Sequence, residues 1–306
     1  MKMPSIEKTV VIDKIDGIYI GKRIDKVLSE ILDIPRNQIQ QWIKEGLIRV
    51  CDKQIQKSYK LSSQDCLIID FPKPKEVSVK PAPAPIKILY EDDDVVVVDK
   101  PAGFVVHPGA AKEEVSVISA LLYMGIKLSG IGAPLRGGVV HRIDKDTSGV
   151  IVLAKSEKAH FYLSKQFFEH TIDRRYIGIT STHLKKDHGI VDKPIARHPK
   201  DRKKFCVSEK GKNAKTEYKV LKRLEKYDIV MFKLFTGRTH QIRVHMKYLN
   251  APLLGDVVYS KKSKEIERQA LHAFKLGFVH PSKERMMVFY SKLPEDMMSI
   301  INRGWK

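Results

Sequence analysis

A proline-rich segment near residue 80 constrains the fold of this chain more than any other feature of its sequence. Five prolines fall in the run FPKPKEVSVKPAPAPIKI, which extends from Phe71 to Ile88. Proline has a fixed φ and no backbone N–H to donate, so neither a helix nor a central strand can continue through this run. The sequence therefore predicts two separately folded units joined by an extended, semi-rigid linker at residues 76–86.

The unit ahead of the linker has the pattern of a small domain that contains both helices and strands. Apolar residues at helical spacing predict one helix over Arg23–Leu32 and a second over Gln38–Glu45. Short apolar runs predict strands at Leu47–Val50 and Leu67–Ile69. We expect this α/β domain to occupy residues 15–75.

The unit after the linker, residues 87–306, is rich in predicted strands. Short apolar or alternating runs predict strands at Val95–Val98, Gly138–Val140, Val150–Leu153, Tyr176–Thr180, Glu217–Leu224 and Ile229–Phe235. Two helices are expected among them, one capped by Ser156 and one capped by Thr239. Clusters of strands with a few helices between them predict an α+β fold with a largely antiparallel mixed sheet.

The chain carries a large positive charge. Its 56 Lys and Arg residues outnumber its 36 Asp and Glu residues, which gives a formal net charge of +20 at pH 7. The segment from Lys185 to Lys226 contributes 15 basic and 6 acidic residues, a net charge of +9. This excess favours a polyanionic partner such as nucleic acid, although a membrane surface or a purely solubilising charge would require the same sign.

Other compositional features narrow the class of protein. No stretch approaches about 18 uninterrupted apolar residues, and the first residues lack the apolar core of a signal peptide. We therefore expect a cytoplasmic protein with no membrane partner. The three cysteines, Cys51, Cys66 and Cys206, show no CxxC spacing, which argues against a disulfide framework and against a zinc site.

The strongest candidate for chemistry is a polar loop, His141–Gly149, between two predicted strands. A simple turn would account for its last three residues, but it would not explain Asp144 between two cations. An alternative is the Asp-x-Asp-x-Thr motif of aspartyl-phosphate phosphatases. Ser148 occupies the threonine position of that motif, and no later acidic pair suitable for a metal is evident, so this alternative is disfavoured.

The polar loop resembles the signature of the RluA-type pseudouridine synthases, with Ile143 in place of the usual leucine. The further segments that resemble this family are Asp99–Gly103, Val106–Pro108, Arg175–Tyr176, Asp192–Pro199, Thr236–His245 and Leu271–Ala273. Residues 15–75 resemble the S4 RNA-binding domain, although Val50–Lys53 lacks the glycine of that domain's usual strand signature. The resemblance thus extends over nearly the whole chain.

The resemblance implies that the protein isomerises uridine to pseudouridine in RNA, without a metal or a cofactor. Asp144 matches the catalytic carboxylate of the family. Arg238 matches the arginine that pairs with this carboxylate, and Tyr176 matches the tyrosine that stacks on the flipped base. We expect these three residues to form the catalytic site, in a basic cleft across the sheet.

The resemblance also suggests which residues bind RNA. Arg142 matches the residue that replaces the target nucleotide in the RNA stack, a role suited to a planar cation. The other candidate RNA-binding residues are His141, Lys155 and Arg243 in the larger unit and Lys22, Arg23, Arg36 and Lys44 in the smaller one. His141 is also a candidate for a structural hydrogen bond at the cleft.

The expected partner is RNA. The two-domain layout and Asp192–Pro199 are most similar to family members that modify large-subunit rRNA, so we expect a stem-loop of that RNA or a ribosomal precursor particle, bound by a monomer. Two alternatives remain open at this point: the same activity on tRNA, and a non-catalytic RNA-binding or ribosome-assembly factor that has kept the fold.

Overall fold

A computed structural model describes residues 6–13, 15–32, 34, 36–72, 79–108, 115–131 and 137–303. The chain forms two compact units, Met1–Lys75 and Glu76–Lys306, and each is described by itself. None of the described helices is both long enough and apolar enough to cross a membrane.

The smaller unit combines two helices with a four-stranded antiparallel sheet. The helices are α1 (Ile24–Ile31) and α2 (Arg36–Lys44), and the strands are β1 (Ile6–Ile12), β2 (Ile48–Val50), β3 (Lys53–Gln54) and β4 (Leu67–Pro72). The sheet order is β1-β4-β2-β3. Both predicted helices and both predicted strands are therefore present. Because β1 pairs with β4, this unit begins ahead of the predicted residue 15.

The apolar faces predicted for the two helices form the core of the smaller unit. Ile24 and Leu28 of α1 and Ile39 and Ile43 of α2 are buried together with the sheet residue Ile69. Burying a side chain of this size contributes about 1.5–3 kcal/mol relative to leaving it exposed. The helical spacing of these residues in the sequence is thus the spacing of a packed face.

The described part of the predicted linker belongs to the larger unit. Residues 76–78 lie outside the described residues, whereas Val79 and Ile86 are buried in the main core of the larger unit. The N–H of Ala82 donates a hydrogen bond to the carbonyl of Ser119, at 3.1 Å. Residues 79–86 therefore do not act as a free spacer, because their apolar side chains find a surface to pack on.

The larger unit is built around one broad, mixed sheet. Its helices are α3 (Val117–Tyr123), α4 (Glu157–Phe168), α5 (Gln241–Tyr248) and α6 (Glu295–Arg303). Its strands are β5 (Lys87–Glu91), β6 (Val95–Lys100), β7 (Ser148–Ala154), β8 (Asp173–Ile179), β9 (His188–Asp192), β10 (Ile195–Arg197), β11 (Phe205–Val207), β12 (Lys215–Arg223), β13 (Asp228–Leu234), β14 (Leu271–Val279) and β15 (Met286–Tyr290).

Nine of these strands form the sheet, in the order β5-β6-β7-β14-β8-β13-β12-β9, with β15 paired to β14. Among the described strands, β7 and β14 form the one parallel pair of this sheet. A Cβ at Gly149, which has a φ of +117°, would lie 2.2 Å from the Ala273 carbonyl oxygen, so only glycine permits this close approach. The predicted α+β class with a largely antiparallel mixed sheet is confirmed.

Two local predictions in the larger unit are wrong. Gly138–Val140 is not a strand, since Val139 forms only an isolated bridge with Leu153. Thr239 does not cap α5, which instead follows His240 in a left-handed conformation with a φ of 56°. The Gln241 side chain accepts the N–H of Arg238 at 2.9 Å and thereby fixes the turn that leads into the helix. By contrast, Ser156 caps α4 as predicted, by accepting the N–H of Ala159.

Candidate active site

A cavity of about 390 Å³ lies where the polar loop, the end of α4, β8 and the start of α5 meet. The predicted site residues that line it are His141, Arg142, Asp144, Tyr176, Arg238 and Arg243. Lys155 follows the end of β7 and pairs with Glu91 instead, at 2.6 Å. The fold therefore brings six of the seven candidate residues of the larger unit to one place.

Backbone contacts hold the polar loop in position. The fully buried Lys100 ammonium donates hydrogen bonds to three carbonyls, one of which is that of Lys145, at 2.8 Å. The N–H of Gly103 donates to the same carbonyl at 3.0 Å, and the N–H of Thr147 donates to the Asp144 carbonyl at 3.1 Å. Burial lowers the pKa of Lys100 to about 7, because desolvation disfavours the charged form. These contacts fix the backbone around Asp144.

The carboxylate of Asp144 is held by a buried arginine. Arg243 Nη1 lies 2.9 Å from Asp144 Oδ2, while Nε and Nη2 of the same guanidinium bind the two carboxylate oxygens of Asp256 at 2.7 and 2.8 Å. Burial opposes the charge on Arg243, but the hydrogen bonds and charges of Asp256 and Asp144 outweigh it and raise the pKa of the guanidinium. A cation fixed in this way orients the neighbouring carboxylate and places a positive charge beside it.

The prediction that Arg238 pairs with Asp144 is therefore wrong. Arg238 lies in the turn before α5, and its Nε donates to the carbonyl of Asn213 at 2.9 Å. Arg243, which was predicted to bind RNA, lies in the first turn of α5 with only 6% of its side chain exposed and forms the pair instead. The helix begins at Gln241 and so turns Arg243 towards the loop, whereas Arg238 stays on the cavity wall.

Tyr176 presents an aromatic ring to the cavity. It lies on β8 and is 8% exposed, so most of its surface is already packed. Burial raises the pKa of its phenol, and the neighbouring charge of Asp144 acts in the same direction although that of Arg174 opposes it. The side chain is therefore neutral at physiological pH and can stack on a planar ligand in the cavity.

Two of the three histidines that line the cavity, His141 and His240, have structural hydrogen bonds. His141 Nε2 accepts the N–H of Val152 at 3.1 Å, and burial, assisted by the charge of Arg174, lowers its pKa to about 3. His240 Nδ1 lies 2.9 Å from the Tyr259 hydroxyl, and burial lowers the pKa of this ring as well. Both rings are thus neutral. The described residues contain no group of three or more His, Cys, Asp or Glu side chains that could hold a metal ion.

Two exposed side chains stand at the cavity. Arg142 is exposed, and the Phe168 ring at the end of α4 is 84% exposed to solvent. The phenyl ring and the guanidinium are planar groups on which nucleic-acid bases can stack.

The basic residues predicted for the smaller unit fall into two groups. Arg23 and Arg36 both pair with the fully buried Asp25, at 3.0 and 2.9 Å. Burial opposes the charge of Asp25, but hydrogen bonds from these arginines and from Gln40 outweigh it and lower the pKa of the carboxyl to about 2. Lys22 and Lys44 are exposed. The two arginines therefore help to hold α1 and α2 together, and their binding of RNA stays a prediction.

Sequence reasoning missed three residues of this region: Arg174, Asp256 and Phe168. Asp256 stands inside the apolar run Ala251–Val258, and an acid in such a run is expected to have a buried partner, so the sequence did carry a signal for it. Arg174 and Phe168 carry no comparable local signal.

A second, larger cavity is lined by Tyr259. Its volume is about 1200 Å³, and five lysines line it: Lys204, Lys247, Lys261, Lys262 and Lys264. We call it the lysine groove. Lys204 pairs with Asp201 at 3.4 Å, whereas the other four form no ion pair with any residue that the structure describes. Tyr248, which is 47% exposed, also lines it.

Comparison with known proteins shows which family has this sequence and fold. A family model described as RNA pseudouridylate synthase matches residues 94–248, and an S4 domain model matches residues 22–65. An uncharacterized RNA pseudouridine synthase of Aquifex aeolicus is 44% identical over 292 residues, which covers 91% of this chain and 92% of the relative. The ribosomal large subunit pseudouridine synthase D of Zymomonas mobilis is 39% identical over 293 residues, with coverage of 91% and 92%.

A solved structure has a similar fold. The human RNA pseudouridylate synthase domain containing 4 protein is 25% identical, with a TM-score of 0.55, over 71% of this chain and 92% of the human chain. The sheet, the lined cavity and these matches agree, and this chain belongs to the RNA pseudouridylate synthase family, with an S4 domain ahead of its synthase domain.

Proposed function

We propose that this protein isomerises specific uridines of large-subunit rRNA to pseudouridine, with Asp144 as the catalytic carboxylate. The observation that carries the proposal is the pairing of Asp144 with the buried Arg243–Asp256 ion pair at the cavity. A non-catalytic RNA-binding factor would have no need to fix one carboxylate in this way.

The reaction assigns a clear task to this carboxylate. The C1′–N1 bond of the uridine breaks, the uracil rotates, and a C1′–C5 bond forms, while a proton leaves C5 and one joins N1. The isomerisation has no net redox change. Among the described residues, Asp144 is the only carboxylate that lines the cavity, so it is the group placed to react with the nucleoside. Arg243 holds it in a fixed orientation for that role.

The other cavity residues suit the handling of a flipped nucleotide. The ring of Tyr176 offers a stacking surface for the uracil. Extruding a base from a stem-loop costs a few kcal/mol, and the exposed guanidinium of Arg142 can offset part of this cost by filling the vacated position in the stack. Arg238 faces the same cavity and supplies a further cation for the RNA backbone.

We infer that the RNA continues from the cavity into the lysine groove. Tyr259 lines the groove, and its hydroxyl lies 2.9 Å from Nδ1 of His240, which lines the cavity. Four lysines that form no ion pair with the described residues, together with an exposed tyrosine, match the phosphates and bases of a single strand. The +9 segment Lys185–Lys226 contributes Lys204 to this surface.

The choice of large-subunit rRNA rests on relatives. Proteins named ribosomal large subunit pseudouridine synthase D, from Zymomonas mobilis and Vibrio cholerae, are 39% and 36% identical to this chain over most of its length. We further propose that the protein acts as a cytoplasmic monomer, because one chain supplies the carboxylate, its cation and the stacking ring. The S4 domain would serve as an anchor on the same RNA.

The test compares Asp144→Ala and Asp144→Asn with the wild type on transcripts of large-subunit rRNA and on tRNA. We expect both variants to lose pseudouridine formation while the Kd for RNA stays within a few-fold, because the carboxylate contributes to chemistry rather than to charge attraction. Activity retained by the variants would refute the role of Asp144. Wild-type activity confined to tRNA would refute the proposed substrate.

A further inference from the structure

One arginine in the active-site cavity is buried with no hydrogen-bond or ion-pair partner among the described residues. Arg174 lies on β8, two residues before Tyr176, and is 7% exposed. Its guanidinium forms no hydrogen bond or ion pair with any residue in the described ranges, and its buried Nε has no acceptor. Its nearest ring contact is Phe167, whose centroid lies 5.5 Å from Cζ.

Burial without a partner is costly and sets Arg174 apart from its neighbours. A charged group taken from water needs an opposite charge or a set of acceptors to compensate for its lost hydration. Arg243 has two carboxylates, and Lys100 has three carbonyls, for this purpose. A guanidinium also remains protonated under all ordinary conditions, so Arg174 cannot escape the cost by losing its charge.

A glycine in the facing segment makes room for this guanidinium. A Cβ on Gly237 would lie 2.6 Å from Arg174 Nη1, closer than any ordinary contact. The φ of Gly237 is not positive, so the backbone alone does not require glycine there. A methyl group at position 237 would therefore have to displace this guanidinium from its place at the cavity wall.

We propose that Arg174 binds a phosphate oxygen of the target nucleotide inside the active-site cavity. The inference rests on the proposed function, because RNA then supplies the missing anion. The planar fork of a guanidinium matches two phosphate oxygens. Neutral uracil would leave the charge uncompensated in the ground state, whereas the phosphodiester that accompanies a flipped nucleotide carries a full negative charge.

The first test separates binding from chemistry. We expect Arg174→Gln to raise the Kd for a stem-loop RNA tenfold to a hundredfold, on the order of the loss of a charge-assisted hydrogen bond, and to leave the single-turnover rate at saturating RNA within a few-fold. Gly237→Ala should act in the same direction, because the new methyl group displaces the guanidinium. Arg175→Gln is the matched control: this neighbour pairs with Asp173 at 3.2 Å and does not line the cavity.

The second test identifies the RNA group. A single methylphosphonate placed 5′ or 3′ to the target uridine removes one phosphate charge. When the methylphosphonate replaces the phosphate that Arg174 contacts, we expect the wild type to lose affinity for the RNA. Arg174→Gln should lose little further affinity, because this contact is already absent from the variant. The proposal would be overturned if, at both positions, the loss from the methylphosphonate simply added to the loss from Arg174→Gln. So would a reduced rate at an unchanged Kd, which would assign the guanidinium to the departing uracil.

A stability measurement guards against a merely structural effect. Because the charge is unpaired in the free protein, we expect the Tm of Arg174→Met to be no lower than that of the wild type. A marked fall in Tm would mean that Arg174 holds the fold and would overturn the proposal. The Kd measurements do not depend on catalysis, so the Arg174 phosphate contact can be tested separately from the proposed function. A wild-type protein that binds RNA but forms no pseudouridine would refute the proposed function alone.

Discussion

The carboxylate of Asp256 is expected to control catalysis without touching RNA. It is fully buried, binds the Arg243 guanidinium through both oxygens at 2.7 and 2.8 Å, and does not line the active-site cavity. In Asp256→Asn, one amide hydrogen faces an arginine N–H, and Arg243 is left with Asp144 as its only carboxylate among the described residues. We therefore expect the substitution to change the orientation of Arg243 and, through it, of Asp144, the carboxylate that we propose for catalysis.

Asp256→Asn is expected to have two separate effects, one on stability and one on the reaction rate. Removing one partner of a buried ion pair costs about 3–5 kcal/mol. For a unit of this size each kcal/mol lowers the Tm by roughly 2–4 °C, so we expect a fall of roughly 6–20 °C. A displacement of the reacting carboxylate by about 1 Å is expected to reduce the single-turnover rate on the order of a hundredfold. The Kd for RNA should stay within a few-fold, because Asp256 has no access to the ligand.

The control is a second buried aspartate in the same unit. Asp228 is also fully buried and pairs with Arg223 and His183, at 3.0 and 2.7 Å, but it does not line the cavity. Asp228→Asn should lower the Tm by a similar amount and leave the single-turnover rate unchanged below that Tm. The assay is pseudouridine formation at saturating RNA, at a temperature where both variants are folded.

Two results would refute this reasoning. If Asp256→Asn lost stability but kept its rate, Arg243 would not need Asp256 in order to orient Asp144. If both variants lost activity equally, the effect would come from general destabilisation rather than from the catalytic pair. Only a rate defect specific to Asp256→Asn supports a positioning role.

Three further predictions concern RNA binding and the smaller unit. Replacing Lys261, Lys262 and Lys264 by glutamine should reduce the slope of log Kd against log salt concentration by about 2–3, at roughly 0.7–0.9 per lost phosphate contact. The control variant replaces Lys185, Lys186 and Lys219 by glutamine. An equal reduction of the slope in this control would refute the binding of RNA in the lysine groove. Phe168→Ala should raise the Kd roughly fivefold to a hundredfold through lost base stacking, whereas Tyr162→Ala, on the same helix, should not. Because the folded pKa of Asp25 is lowered to about 2, its contribution to stability is complete above about pH 4 and is lost as the pH falls towards 2. The Trp42 fluorescence of a Trp305→Phe variant should report this transition, and Asp25→Asn should lack the pH dependence; equal pH dependence in both proteins would contradict the assignment.

Local sequence patterns were sufficient for several of the helices and strands and for the polar loop His141–Gly149. The helices of the smaller unit, the Ser156 cap of α4 and the β12–β13 hairpin follow from the spacing of apolar and capping residues, which acts over a few positions along the chain. Asp144 could be identified as a candidate for catalysis because the motif that contains it is one continuous stretch of sequence. Patterns of this kind are readable because the residues that define them are neighbours in the chain.

The partners of Asp144 were decided by tertiary structure. Arg238 and Arg243 are five positions apart, and which of them reaches the carboxylate depends on where α5 begins and on Asp256, which lies beyond the helix. The left-handed conformation of His240 makes α5 begin at Gln241, and no local sequence pattern predicts this conformation.

The same holds for Arg174, whose burial is set by the packing of β8 against the segment that contains Gly237. By itself, the sequence determined the two units, the sheet class, the positive charge and the candidate carboxylate Asp144. Only the tertiary structure decided which cations line the same cavity and which of them has no ion-pair partner among the described residues, because burial and pairing are set by residues far apart in the chain.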